Sequence, residues 1–209
     1  MSKLPKPKKR HRICVICEGY EELECFKRLM ELNVWSDSYE FYPINAKSAS
    51  NIPSIFQDVY KSDRYEIVLV FCDTDKSPYK EYSIIKKKIN GTLNKRKVAE
   101  KVIIFANPCT MQIILSHFGD VSLKTQSKKT NENEIERLTG IKNYRAHEDQ
   151  IKAISQKINR RNYKDMKARV AKILHTDDTL CSTNMSIFLE YFENSDGHWM
   201  KEINSYMDK

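Results

Sequence analysis

No stretch of this 209-residue chain approaches the roughly 18 consecutive apolar residues of a membrane-spanning helix, so a transmembrane protein is not expected. The opening basic stretch, MSKLPKPKKRHR, is followed by no apolar core of a secretory signal. The six cysteines include one close pair, Cys14 and Cys17, and no second pair follows to complete a zinc site. Several lie inside apolar runs and read as reduced thiols of a cytoplasmic protein, packed as small hydrophobes. Acid is missing from residues 1–12, which carry six Lys/Arg, and nearly missing from 152–175, where Asp165 faces eight. These two stretches hold a net +13, which leaves −5 for the rest of a chain whose formal charge is +8. An acidic body with basic extensions suits a polyanion gripped by the extensions and processed in the body. A solvated face plus a disordered tail accounts for the same pattern.

What is present, 40% hydrophobic and 31% charged residues, is ordinary for a globular chain long enough to bury one sizeable core. Residues 1–12 lack apolar periodicity and read as a disordered basic tail. Strands are expected at 13–17 (ICVIC), at 40–44, where Pro43 favours an edge, at 67–71 (IVLVF) and at 102–105. Helices are expected at 21–32, from a cap at Ser50 or Asn51 through Tyr60, around 79–97 with a break near 90–92, and from Asn107, with Pro108 in the first turn. The alternation predicts an α/β fold over 13–120, a parallel sheet with helices on both faces. From about 121 to 209 the chain reads as a helical region packed on it. It comprises 131–140 ending at Gly140, a long helix over 147–175 with Tyr163 among its Lys and Arg residues, and a last helix over 184–208.

Ligands of such sheets bind beyond the carboxyl ends of the strands, and acids stand there. Glu18 follows the first strand, and Asp73 and Asp75 follow the third. Residues two apart in a strand share a face, so the two aspartates project together if the extended conformation persists. Glu22, one helical turn after Glu18, reaches the same cleft. Four hard oxygen donors suit Mg²⁺ or Mn²⁺. Capping aspartates and a glutamate at a helix N-terminus are the plainer alternative. His117 reads as a core histidine, and His147, Glu148 and Asp149 as an acidic helix start.

The order VICEGYEE, then VLVFCDTDK, then NPCTMQIILSHF and CSTNMSIFLEYF resembles the RloB-like family of Toprim proteins, over about residues 12–193. That resemblance implies a Toprim-type, Rossmann-like sheet and a place in prokaryotic antiphage defence or abortive infection. It implies metal binding by Asp73 and Asp75, general acid/base or indirect metal work by Glu18, and a second-metal role for Glu22. Gly19, Asn107 and Gln112 are the supporting positions. Where the family usually has a Glu after the Cys, this chain has Thr110, Met111 and Gln112, and no glycine follows Asp75 as in primases and topoisomerases.

The expected activity is metal-dependent phosphodiester hydrolysis, on RNA such as tRNA in preference to DNA. Lys76 is the expected phosphate contact at the site, and Arg160, Arg161 and Lys164 are the expected nucleic-acid-binding residues. A protein partner encoded nearby and a homo-oligomer are further expectations. The alternative is a non-catalytic nucleic-acid or nucleotide-binding module that regulates a neighbouring effector.

Overall fold

A computed structural model of the chain describes residues 10–75 and 78–207. Five strands form one sheet in the order β2-β1-β3-β4-β5: β1 His11–Cys17, β2 Tyr39–Asn45, β3 Ile67–Asp73, β4 Ile103–Asn107 and β5 Ser182–Thr183. The first four are parallel and β5 pairs antiparallel with β4. The α/β expectation holds. Ile67 to Cys72 are fully buried, as a parallel strand covered on both faces requires. Pro43 stands on edge strand β2, where its missing N–H interrupts no interior ladder.

The chain passes from β1 to β2 through α1 (Tyr20–Glu31), then doubles back over β1 to β3 through α2 (Ile52–Lys61) and on to β4 through α3 (Lys80–Thr92) and the short α4 (Ala99–Val102). Right-handed crossovers in opposite directions put α1 on one face and α2 and α3 on the other. The strand order therefore reverses between β1 and β3. Their carboxyl ends, Cys17 and Asp73, flank the topological switch point where such sheets open a crevice.

Helices α5 (Met111–Ser116), α6 (Lys128–Thr139), α7 (Glu148–Lys157), α8 (Arg160–Val170), α9 (Met185–Glu193) and α10 (His198–Met207) complete the fold. Helix α7 packs on α1 and α8 on α5. An aromatic cluster of Phe26, Trp35, Phe41 and Phe192, with centroids 4.7 to 6.1 Å apart, ties α1, β2 and α9 together.

Four expectations are corrected. Asn107 ends β4 instead of capping a helix, Pro108 follows it through a cis peptide, and α5 begins only at Met111. The long helix over 147–175 is two helices, because the Asn159 side chain accepts the N–H groups of Arg161 and Asn162 and starts α8 afresh. The helix over 184–208 divides at Asn194–Gly197, where Gly197 takes a left-handed φ of +64°. The region after 120 also holds a strand, β5, too short to give an apolar pattern. Gly140 is the left-handed helix stop that its position predicts, and Ser127 caps the N-terminus of that helix. The expected disorder of residues 1–12 lies mostly outside the described residues.

Candidate functional site

The site is built at the ends of β1 and β3. The Glu18 N–H donates to the Phe71 carbonyl at 2.9 Å, extending the β1–β3 ladder by one bond. Glu18 Oε2 in turn accepts the Asp73 N–H at 3.0 Å. Two hydrogen bonds thus hold the glutamate across the switch point. Gly19 follows as the residue before α1, and its N–H donates to Glu22 Oε2 at 2.8 Å. A Cβ at Gly19 would stand 3.3 Å from that oxygen, so a side chain here crowds the carboxylate.

Asp73 completes the group. Its Oδ1 accepts the Thr110 N–H at 2.6 Å and the Thr110 hydroxyl at 2.8 Å. Burial and then the neighbouring Glu22 and Glu18 push its pKa well above the usual carboxylate range, with Lys128 opposing. Burial and Glu22 push Glu18 up to about 8, with Asp75 and Glu81 adding to the effect. Glu22 is raised by burial and by Glu21. Each acid is therefore perturbed by its neighbours, the pattern of carboxylates sharing one low-dielectric site.

Asp75 does not follow the strand alternation. Strand β3 ends at Asp73, and Asp75 has a left-handed φ of +58°, so its position comes from a turn. It still acts on Glu18 through charge. Lys76 lies outside the described residues.

A second layer, which the sequence reading missed, stands behind the acids. Glu21 is buried, and its two carboxylate oxygens are taken by Lys128 Nζ and by the Tyr144 hydroxyl, the latter at 2.5 Å. Burial opposes the charge on Lys128, Glu21 outweighs it, and the lysine is held protonated. Lys128 is thus a described cation that acts on Asp73. Nothing local marked these residues: Lys128 and Tyr144 reach Glu21 across 107 and 123 positions of chain.

Two supporting positions behave differently. Gln112 is fully buried and spans a loop, donating to the Val121 carbonyl at 2.8 Å and accepting the Leu123 N–H at 2.8 Å. It is a loop fastener, and these bonds do not reach the acids. Asn107, also fully buried, donates to the Asp177 carbonyl at 3.0 Å, and its Oδ1 has no partner. The adjacent Thr74 Oγ1 is likewise buried without one. Two orphan oxygens at the same sheet edge are acceptors open to a donor or a cation.

The donor set of Glu18, Glu22, Asp73 and Asp75 consists of hard oxygens, which is the chemistry Mg²⁺ or Mn²⁺ prefers. Their mutual repulsion is what a cation relieves. As the side chains stand, no group of three or more His, Cys, Asp or Glu among the described residues is placed to hold a metal ion. The carboxylates turn instead to the N–H groups of Asp73, Gly19 and Thr110.

Arg160, Arg161 and Lys164 do not join this site. Helix α1 starts at the carboxyl edge and runs back to the amino edge, about 18 Å for 12 residues. Arg160 Nε donates to the carbonyl of Leu32, the residue that ends α1, at 2.7 Å. The basic helix start therefore lies at the opposite edge of the sheet.

His117 is buried with Nδ1 on the Ile114 carbonyl at 3.0 Å, and burial lowers its pKa to about 4. It is a neutral core histidine. His147 precedes α7 and Glu148 and Asp149 open it, in keeping with an acidic helix start. Comparison of the chain with protein-family models, curated proteins and solved structures found no match in any of the three. The resemblance to Toprim proteins therefore rests on the motif residues alone.

Proposed function

We propose that this chain is a metal-dependent nuclease of the RloB-like Toprim type, acting in antiphage defence on nucleic acid, with RNA such as tRNA favoured over DNA by that resemblance. The observation that carries the reading is the position of Asp73 at the switch point of a parallel sheet, its carboxyl raised well above the usual pKa range by burial and then by Glu22 and Glu18. Glu18, Glu22, Asp73 and Asp75 are the residues to hold Mg²⁺ or Mn²⁺, which when bound supplies a water of lowered pKa and charge stabilisation on the phosphate. Thr110 fixes the Asp73 carboxylate through two hydrogen bonds, and Gly19 fixes that of Glu22. Lys128, anchored by Glu21, offsets part of the negative charge at Asp73. Lys76 stays the proposed phosphate contact on sequence grounds.

A second reading, a non-catalytic module that binds nucleic acid or a nucleotide, is favoured by one observation. Glu18 and Glu22 are each committed to a backbone N–H, so the acids do not converge as they stand.

One assay separates the two. Labelled tRNA, single-stranded RNA, linear duplex DNA and supercoiled plasmid are incubated with Mg²⁺ or Mn²⁺ and with EDTA. Metal-dependent cutting by the wild type is expected, reduced by roughly two orders of magnitude or more in Asp73→Asn, since even outer-shell partners of a metal cost 10–100-fold. Cutting retained in Asp73→Asn overturns the site. Binding without cutting by the wild type supports the second reading.

A further inference from the structure

A large groove lies at the amino edge of the sheet, away from the acids. It measures about 950 Å³ and runs between the segment just after α1, at Asn33 and Val34, and the outer face of α8. Arg160, Arg161, Lys164 and Lys167 line it, against the single carboxylate of Glu193. That carboxylate is already engaged, by the Tyr163 hydroxyl at 2.6 Å and by Lys167. Arg160 spends only its Nε, on the Leu32 carbonyl. Arg161 and Lys164 are exposed and have no acidic partner among the described residues. Arg160, Lys164 and Lys167 recur at i, i+4 and i+7 with Arg161 beside them, so the groove presents positive charge along successive turns of α8.

The floor of the groove is tied to the core. Trp35 Nε1 donates to the Tyr163 hydroxyl at 3.2 Å, Tyr163 is buried, and Trp35 packs on Phe26 and Phe192. Arg10 lines an adjoining groove that shares Asn33, which adds one more cation at this edge.

We infer that the α8 groove is a docking site for a nucleic-acid phosphate backbone, separate from the carboxylate edge. It takes only the ligand class from the proposed function, and its chemistry is independent of hydrolysis. A succession of phosphates matches a row of cations of which Arg161 and Lys164 have no acidic partner among the described residues, with the one lining carboxylate already engaged, and such contacts position without reading sequence. A strand that engaged both edges would have to span at least the length of α1, about 18 Å, or roughly five steps at the 3.4 Å spacing of a duplex. Only oligonucleotides longer than that engage both edges at once.

The test is binding in EDTA, where hydrolysis plays no part. Fluorescence anisotropy with a labelled 30-mer of single-stranded RNA, and in a second arm duplex DNA of equal length, compares wild type with Arg161→Glu/Lys164→Glu. The double charge reversal is expected to weaken binding at least about tenfold at moderate salt, and to flatten the salt dependence by about 0.7 to 0.9 per lost phosphate contact. Thermal melts of the double reversal, altered at two exposed positions, check that the fold is kept. Equal affinity of the folded double reversal and the wild type in both arms overturns the inference. So does displacement of neither nucleic acid but tight binding of poly-glutamate, which would assign the groove to an acidic protein. Failure of the cleavage assay with this binding result intact would instead count against the hydrolytic reading alone.

Discussion

The two edges of the sheet differ in how charge is held. At the carboxyl edge, Glu22 is buried with Glu18 and Asp73 half-buried beside it, and their repulsion is met by N–H groups, Thr110 and Lys128. At the amino edge, Arg161 and Lys164 project into solvent from a helix whose inner face is apolar. One edge concentrates charge where water is partly excluded, and the other spreads charge in solvent. The proposed chemistry and the proposed grip thus fall at opposite ends of α1.

If that division is right, the amino edge depends on packing and the carboxyl edge on polar partners. The largest effect is expected from Phe192→Ala, which removes a ring buried against Phe26, Trp35, Phe41 and Trp199. A loss of about 3–5 kcal/mol in chemical denaturation is expected, and a loss below about 1 kcal/mol would mean the aromatic cluster does not hold this end together.

The pH dependence of stability separates the acids from the core. Glu18 has a folded pKa of about 8 against an ordinary 4.5, so the folded state keeps a proton that the unfolded state gives up, and stability falls as pH rises between these values. His117 acts in the opposite sense. Its folded value of about 4 lies below the ordinary 6.5, so the unfolded state binds the extra proton and stability is lost as pH falls from 6.5 towards 4. Denaturation in EDTA at pH 7, 5.5 and 4.5 should therefore show the wild type losing ground to His117→Leu as pH falls, by at most about 3 kcal/mol. Parallel curves for the two proteins would mean that His117 titrates normally.

The smallest effect tests the layer behind the acids. Tyr144→Phe removes one hydrogen bond to Glu21 and leaves Lys128 in place, for an expected cost of about 1 to 2 kcal/mol. No change in the melt would place Tyr144 outside the network.

The sequence was most legible where a pattern is local. The buried runs at Ile13–Cys17 and Ile67–Phe71, and the alternation of strand and helix, led to the parallel sheet, and with it Glu18 and Asp73 fell at the switch point. It was less legible where a single residue resets the chain. Asn159 divides an otherwise continuous amphipathic stretch, and the left-handed turn at Asp75 ends the alternation that would pair it with Asp73. It was silent where contacts are distant. Glu21, Lys128 and Tyr144 meet only in the folded chain, as does Thr110 with Asp73. The basic residues of α8 were identifiable as a charged face, yet their removal from the acids follows from the direction of α1 and not from any spacing in the sequence.

The most direct measurement of the division between the edges is single-turnover cleavage of a labelled RNA with Mg²⁺, taken to saturating protein, for the wild type, Asp73→Asn and Arg161→Glu/Lys164→Glu. The groove variant is expected to require at least about tenfold more protein for half-saturation and then to cut at the wild-type rate. Asp73→Asn is expected to saturate normally and to cut slowly or not at all. A groove variant whose saturated rate falls together with that of Asp73→Asn would contradict the account, because it would place grip and chemistry in one site.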